Sequence, residues 1–146
     1  MAHIHKVLIV EDIRFHQALL TEILGPAHEI RVASDGEEGV SIACAWKPDL
    51  IFMDLSLPRV DGLEAIRRVR AKLGIRTRIV ALSATSDPER IAGAMAAGAD
   101  AWLPKPFNNR TVGDLMQKFG GTIPPEPTAP GDTTGEVTGP RRVAMK

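Results

Sequence analysis

The apolar run Val7–Val10 stops on two adjacent acids, Glu11 and Asp12. A second run, Leu50–Met53, stops on Asp54, and a third, Ile79–Leu82, stops on the hydroxyl of Ser83. Lys105 follows a weaker run, Ala101–Leu103. Carboxylates crowded together repel one another and hold raised pKa values unless a cation neutralises them. Glu11, Asp12 and Asp54 are all hard oxygen ligands, with no convergent Cys or His beside them in sequence. That donor set favours Mg²⁺, which takes a few carboxylates and keeps waters and phosphate oxygens as its other ligands. A divalent cation, an ammonium and a hydroxyl around one carboxylate are the parts needed for phosphoryl transfer to that carboxylate. The positive groups neutralise the equatorial phosphoryl oxygens while the carboxylate attacks in line. Neither GxGxxG nor GxxxxGK[ST] occurs, which disfavours a nucleotide site.

Taken singly, each residue has a plain reading. Asp12 alone reads as a helix N-cap, Lys105 as a solvated lysine and Ser83 as a turn residue. Their joint position at the ends of apolar segments is what makes a site, and it requires a particular architecture. Five short apolar runs alternate with helical patterns: Val7–Val10, Ile30–Ala33, Leu50–Met53, Ile79–Leu82 and Ala101–Leu103. The first, third and fourth are continuous rather than alternating, as parallel strands buried on both faces are.

Between the runs, RFHQALLTEIL places Phe15, Leu19 and Ile23 at four-residue spacing, predicting a helix with Phe15 on its core face. EEGVSIACAW, LEAIRRVRAKL, PERIAGAMAAG and NRTVGDLMQKF predict further helices. Gly25-Pro26 stops the first, Lys47-Pro48 follows the second and Gly74 the third, while Asp87-Pro88 reads as an N-cap with proline at the first helical position. Alternating strands and helices imply right-handed crossovers, a (βα)5 α/β domain and a parallel sheet covered on both faces. Open sheets of this kind bind ligands beyond the carboxyl ends of their strands, which is where the polar residues fall.

With 146 residues the chain has enough length for one domain with a proper core. Its formal net charge is zero with acids and bases mixed, which gives no electrostatic support for a nucleic-acid or membrane-surface role. Cys44 is the only cysteine, so no internal disulfide can form; it reads as a small core residue, in keeping with a reducing cytoplasm. The N-terminus lacks the h-region of a signal peptide, and no apolar run approaches the ~18 residues of a membrane span. His3 and His5 read as exposed N-terminal residues rather than a metal site. After Gly120 the chain becomes rich in Pro, Gly and Thr. We therefore expect a folded domain over 5–120 and a flexible tail or linker over 121–146.

With VLIVED, DLSLPRVDG, ALSA and KPF in this order and spacing, the chain from Lys6 to Phe119 resembles the receiver domain of two-component response regulators, the CheY-like superfamily. The resemblance implies a flavodoxin-like, doubly wound five-stranded parallel sheet of order 2-1-3-4-5. By position it makes Asp54 the phosphoacceptor. Asp12 would bind Mg²⁺ directly, Glu11 would act at the metal through water, and the backbone carbonyl of Ser56 would complete the protein ligands. Ser83 would donate a hydrogen bond to the phosphoryl group and Lys105 would form an ion pair with it. The Lys105–Pro106 peptide would be cis, an isomer accessible only before proline.

The implied donor is a phosphohistidine on a sensor histidine kinase or histidine phosphotransfer protein. The implied output is a changed partner-binding face around the fourth helix and fifth strand. Such a protein assists its own phosphorylation and hydrolysis without being a turnover enzyme. Two residues depart from the family's usual pattern. Glu11 stands where Asp is commoner, and Trp102, three residues before Lys105, replaces the usual Tyr with a larger ring. Trp102 has two readings: a fixed, half-exposed aromatic covering the fourth helix, or a switch that moves inward when Ser83 is drawn to the phosphoryl group.

Other functions fit less well. A phosphatase of the haloacid-dehalogenase type needs a second acid two residues after its nucleophile, and Ser56 stands there. A pseudo-receiver, a docking module that is never phosphorylated, loses the acceptor, an acid or the lysine, and all are present. The receiver of a hybrid histidine kinase would keep the chemistry and change the partner. Arg14, beside the acids, is the expected donor contact.

Overall fold

Three continuous apolar runs form the middle of the sheet. β1 (Lys6–Val10), β3 (Leu50–Asp54) and β4 (Arg78–Ser83) bury every residue from Val7 to Val10, Leu50 to Asp54 and Ile79 to Ser83. The structure, a computed structural model, describes residues 4–84 and 88–120. β2 (Glu29–Ala33) is only partly buried and forms one edge, with β5 (Ala101–Pro104) at the other. The order is β2-β1-β3-β4-β5 and every pairing is parallel.

Register decides where the polar residues go. Val10 pairs with both Ala33 and Met53, Asp54 with Leu82, and Ser83 with Pro104. The residues that follow Val10, Met53, Leu82 and Pro104 therefore gather at one edge of the sheet.

Alternation along each strand sends side chains to opposite faces. Val7, Ile9, Leu50, Phe52, Val80 and Leu82 pack under α1 (Arg14–Leu24) and α5 (Asn109–Lys118). Leu8, Val10, Ile51, Met53, Ile79 and Ala81 pack under α2 (Gly36–Trp46), α3 (Gly62–Leu73) and α4 (Pro88–Ala97). The domain is thus doubly wound.

Local chemistry sets the helix ends. Asp35 accepts from Glu38 N–H and Asp61 from Glu64 N–H, while Asn108 and Thr111 form a reciprocal capping box. Gly25, Lys47 and Gly74 turn the chain out of α1, α2 and α3 with positive φ. The expected Asp87 cap and the 121–146 tail lie outside the described residues.

Two sequence expectations are corrected. Phe15 is 70% exposed, and Leu20, Ile23 and Leu24 carry the buried face of α1. The first turn of α1 stands at the strand ends, where there is no sheet beneath it to cover a ring. Cys44 is half-buried, and its neighbour Ala43 is the residue that faces the core. The plain N-cap reading of Asp12, set aside in favour of the site, does not hold either: Ile13 occupies the N-cap position of α1 without a side-chain bond.

Candidate functional site

The end of β1 is stitched to β2 by Glu11 N–H donating to the Ala33 carbonyl at 3.0 Å. That bond aims the Glu11 side chain inward, where it has no solvent exposure. Its Oε2 accepts from Ile13 N–H at 2.9 Å, and its Oε1 lies 2.8 Å from the Lys105 ammonium. Asp54 ends β3 at 2% exposure. Its Oδ2 lies 3.1 Å from Lys105 Nζ and its Oδ1 accepts from Ser56 N–H at 3.0 Å. Lys105 leaves β5 with its N–H donating to the Ser83 carbonyl at 2.8 Å, so these two residues share one backbone bond at the sheet edge. Ser83 itself is buried. The Lys105–Pro106 peptide is cis, and Phe107 beyond it is buried in the core.

Glu11, Asp12, Asp54, Ser83 and Lys105 are therefore brought to one edge of the sheet, with Asp12 exposed at its rim. Ser56 is exposed in the loop after β3, between the buried Leu55 and Leu57, and its N–H donates to Asp54. Trp102 lies one strand out, half-buried between the buried Ala101 and Leu103. Its indole lines a groove of about 430 Å³ with Ile91 and Met95 of α4 and Thr111 and Lys118 of α5. The indole Nε1 is buried and has no hydrogen-bond partner among the described residues.

Burial pushes the Glu11 carboxyl above its ordinary pKa; bonds from Lys105 and Ile13 pull it back only in part, and the Asp54 charge adds to the rise. For Lys105 burial alone would lower the pKa, but the contacts to Glu11 and Asp54 together outweigh it. The net shift is upward, and Lys105 stays cationic. One carboxylate oxygen each from Glu11, Asp12 and Asp54 lie within 4.8 Å of one another. Three acids against one ammonium leave an excess of negative charge, and a hard divalent cation fits both the charge and the oxygen donors.

Several contacts had no signal in the sequence. The Glu11–Lys105 ion pair is one, since Glu11 reads as the more peripheral acid. Arg90 of α4 donates to the Leu55 carbonyl, next to Asp54. Arg59, at φ 70°, reaches Glu37 at 3.0 Å and joins the loop after β3 to the first turn of α2.

The family model of the response regulator receiver domain matches residues 7–117. The chain belongs to the response regulator receiver family. This receiver is 39% identical over 103 residues to protein-glutamate methylesterase/protein-glutamine glutaminase 1 of Geobacter sulfurreducens, covering 68% of the chain but 28% of that protein. The match reaches only the receiver part of the methylesterase. With chemotaxis protein CheY of Halobacterium salinarum it shares 34% identity over 112 residues, 76% of the chain and 92% of that protein. The solved receiver domain of the sensor histidine kinase PA1611 from Pseudomonas aeruginosa has a TM-score of 0.72 at 30% identity, covering 78% of this chain and 95% of that one. That structure holds a magnesium ion coordinated in its active-site cleft.

Receiver domains bind Mg²⁺ in their acidic site and interact with histidine kinases in two-component signalling. No helix among the described residues is long and apolar enough to cross a membrane.

Proposed function

We propose that this receiver takes a phosphoryl group onto Asp54 from a phosphohistidine of a sensor histidine kinase or phosphotransfer protein. The observation that carries the reading is Asp54 itself: a buried carboxylate at a strand end, one oxygen on the Lys105 ammonium and the other on the Ser56 N–H. A carboxylate oxygen attacks phosphorus, the P–N bond to the donor imidazole breaks, and its electron pair returns to the ring nitrogen. Glu11, Asp12, Asp54 and the Ser56 carbonyl would hold Mg²⁺, which when bound neutralises phosphoryl oxygens in the transition state. Lys105 offers a second positive charge and Ser83 a hydroxyl donor to the same group. The protein stores the group and changes its partners rather than turning over a substrate, as a stand-alone regulator or as part of a longer chain in the cytoplasm.

Donor docking falls to the start of α1. Ile13 and Phe15 are 46% and 70% exposed beside Arg14, an apolar and cationic patch next to the acids. The likeness to the PA1611 receiver supports a second reading, in which the domain serves a hybrid histidine kinase with the same chemistry on Asp54.

Acetyl phosphate with Mg²⁺ should add the mass of one phosphoryl group to the protein, and Asp54→Asn should abolish the addition. Labelling that survives the substitution contradicts the assignment.

A further inference from the structure

The peptide unit joining Leu55 to Ser56 is held at both ends. Its carbonyl accepts from the Arg90 guanidinium, and its N–H donates to Asp54 Oδ1 at 3.0 Å. A peptide unit is planar, and in the trans form its oxygen and its N–H point in opposite directions. Whatever fixes the carbonyl therefore aims the N–H. Gly62 N–H also faces the Leu55 carbonyl, but at 3.4 Å that contact is weak.

Gly62 instead forms a wall. A Cβ added there would lie 2.2 Å from the Asp54 carbonyl oxygen and 2.6 Å from Leu55 Cα, so the turn after β3 rests directly on glycine backbone. Arg90 grips the turn from α4. A bond from a cation to a carbonyl is roughly twice as strong as a neutral one, and it polarises the peptide so that its N–H becomes a better donor.

We propose that Arg90 is a positioning residue for the phosphoacceptor, acting through the Leu55–Ser56 peptide. It orients and strengthens the N–H that holds one Asp54 oxygen, while Lys105 holds the other. The role rests on Asp54 being the acceptor, and the two ideas separate in one experiment.

The full chain is labelled with acetyl phosphate at saturating Mg²⁺, comparing wild type, Arg90→Met, which keeps the stem without donors, and Arg90→Lys, which keeps the cation. Arg90→Met should slow the labelling rate constant about tenfold, the low end of what losing an outer-shell partner costs. Its Ser56 amide proton should move upfield while the thermal midpoint and the α3 amide shifts stay in place. Arg90→Lys should regain most of the rate.

A wild-type rate and an unmoved Ser56 amide in Arg90→Met overturn the proposal while leaving Asp54 as acceptor. If Arg90→Met does not fold, Arg90→Ala, which also removes the donors, decides by the same criterion. Wild-type protein that takes no label at Asp54 overturns the acceptor reading, and the role of Arg90 with it.

Discussion

The Lys105 ammonium lies 2.8 Å from Oε1 of Glu11, a carboxylate that has no solvent exposure at all. Lys105 thus pairs with the site's own carboxylates. Removing one partner of a buried pair leaves an uncompensated charge, which costs about 3–5 kcal/mol. Lys105→Met should destabilise the protein by an amount of that order in chelator, measured by urea unfolding. Adding Glu11→Gln should recover part of the loss, because the more buried of the two carboxylates that Lys105 leaves unpaired then carries no charge. A single variant as stable as wild type would show that the pair carries no weight.

Mg²⁺ should stabilise the folded protein by relieving the repulsion among Glu11, Asp12 and Asp54. At about one hundred times its dissociation constant a ligand specific to the native state adds about 2.7 kcal/mol. Asp12 is the exposed member of the cluster and is not buried in the core, so Asp12→Ala should fold normally. It should lose most of the Mg²⁺-dependent rise in thermal midpoint and most of the labelling by acetyl phosphate. Normal labelling of Asp12→Ala in chelator would mean that the metal site is misassigned.

Phe15 offers a clean separation of stability from docking. Because the ring is 70% exposed, Phe15→Ala should change stability within about 0.5 kcal/mol. Transfer from a cognate phosphohistidine donor should slow in both Phe15→Ala and Arg14→Ala, with acetyl phosphate labelling unchanged. Equal slowing with both donors would indicate a damaged pocket.

Trp102 offers a test of the output face expected around α4 and β5. Its indole borders the groove between α4 and α5, and Ser83 is two strand positions from it across the β4–β5 pairing, where Ala81 pairs with Trp102 and Ser83 with Pro104. Beryllofluoride with Mg²⁺, an acyl-phosphate mimic, should change Trp102 emission beyond the effect of Mg²⁺ alone. Trp46→Phe removes the second indole, which stacks under Arg31 at 4.5 Å far from the site. No added change would mean that this receiver signals without moving its aromatic.

The strands were legible because burial on both faces leaves continuous apolar runs, and the polar residues that end them stand out against that background. The order of the sheet, and the roles expected of the site residues, came from the family resemblance that the four motifs carry. Phe15 was misplaced because four-residue spacing marks a helix face but does not say where the sheet beneath it stops. Asp12 taken alone reads as a cap, but α1 begins one residue later and Asp12 stands at the rim of the acidic cluster in which its neighbours place it. Contacts such as Arg90 to the Leu55 carbonyl join residues 35 apart through a backbone atom, which has no signature in a side-chain pattern.

The central claim is that Asp54 carries an acyl phosphate. Borohydride reduces an acyl phosphate on aspartate to homoserine, so phosphorylated protein can be reduced, digested and read by tandem mass spectrometry. Homoserine at position 54, absent without acetyl phosphate or Mg²⁺, is the expected result. Phosphate found on another residue, with position 54 still aspartate, would contradict it.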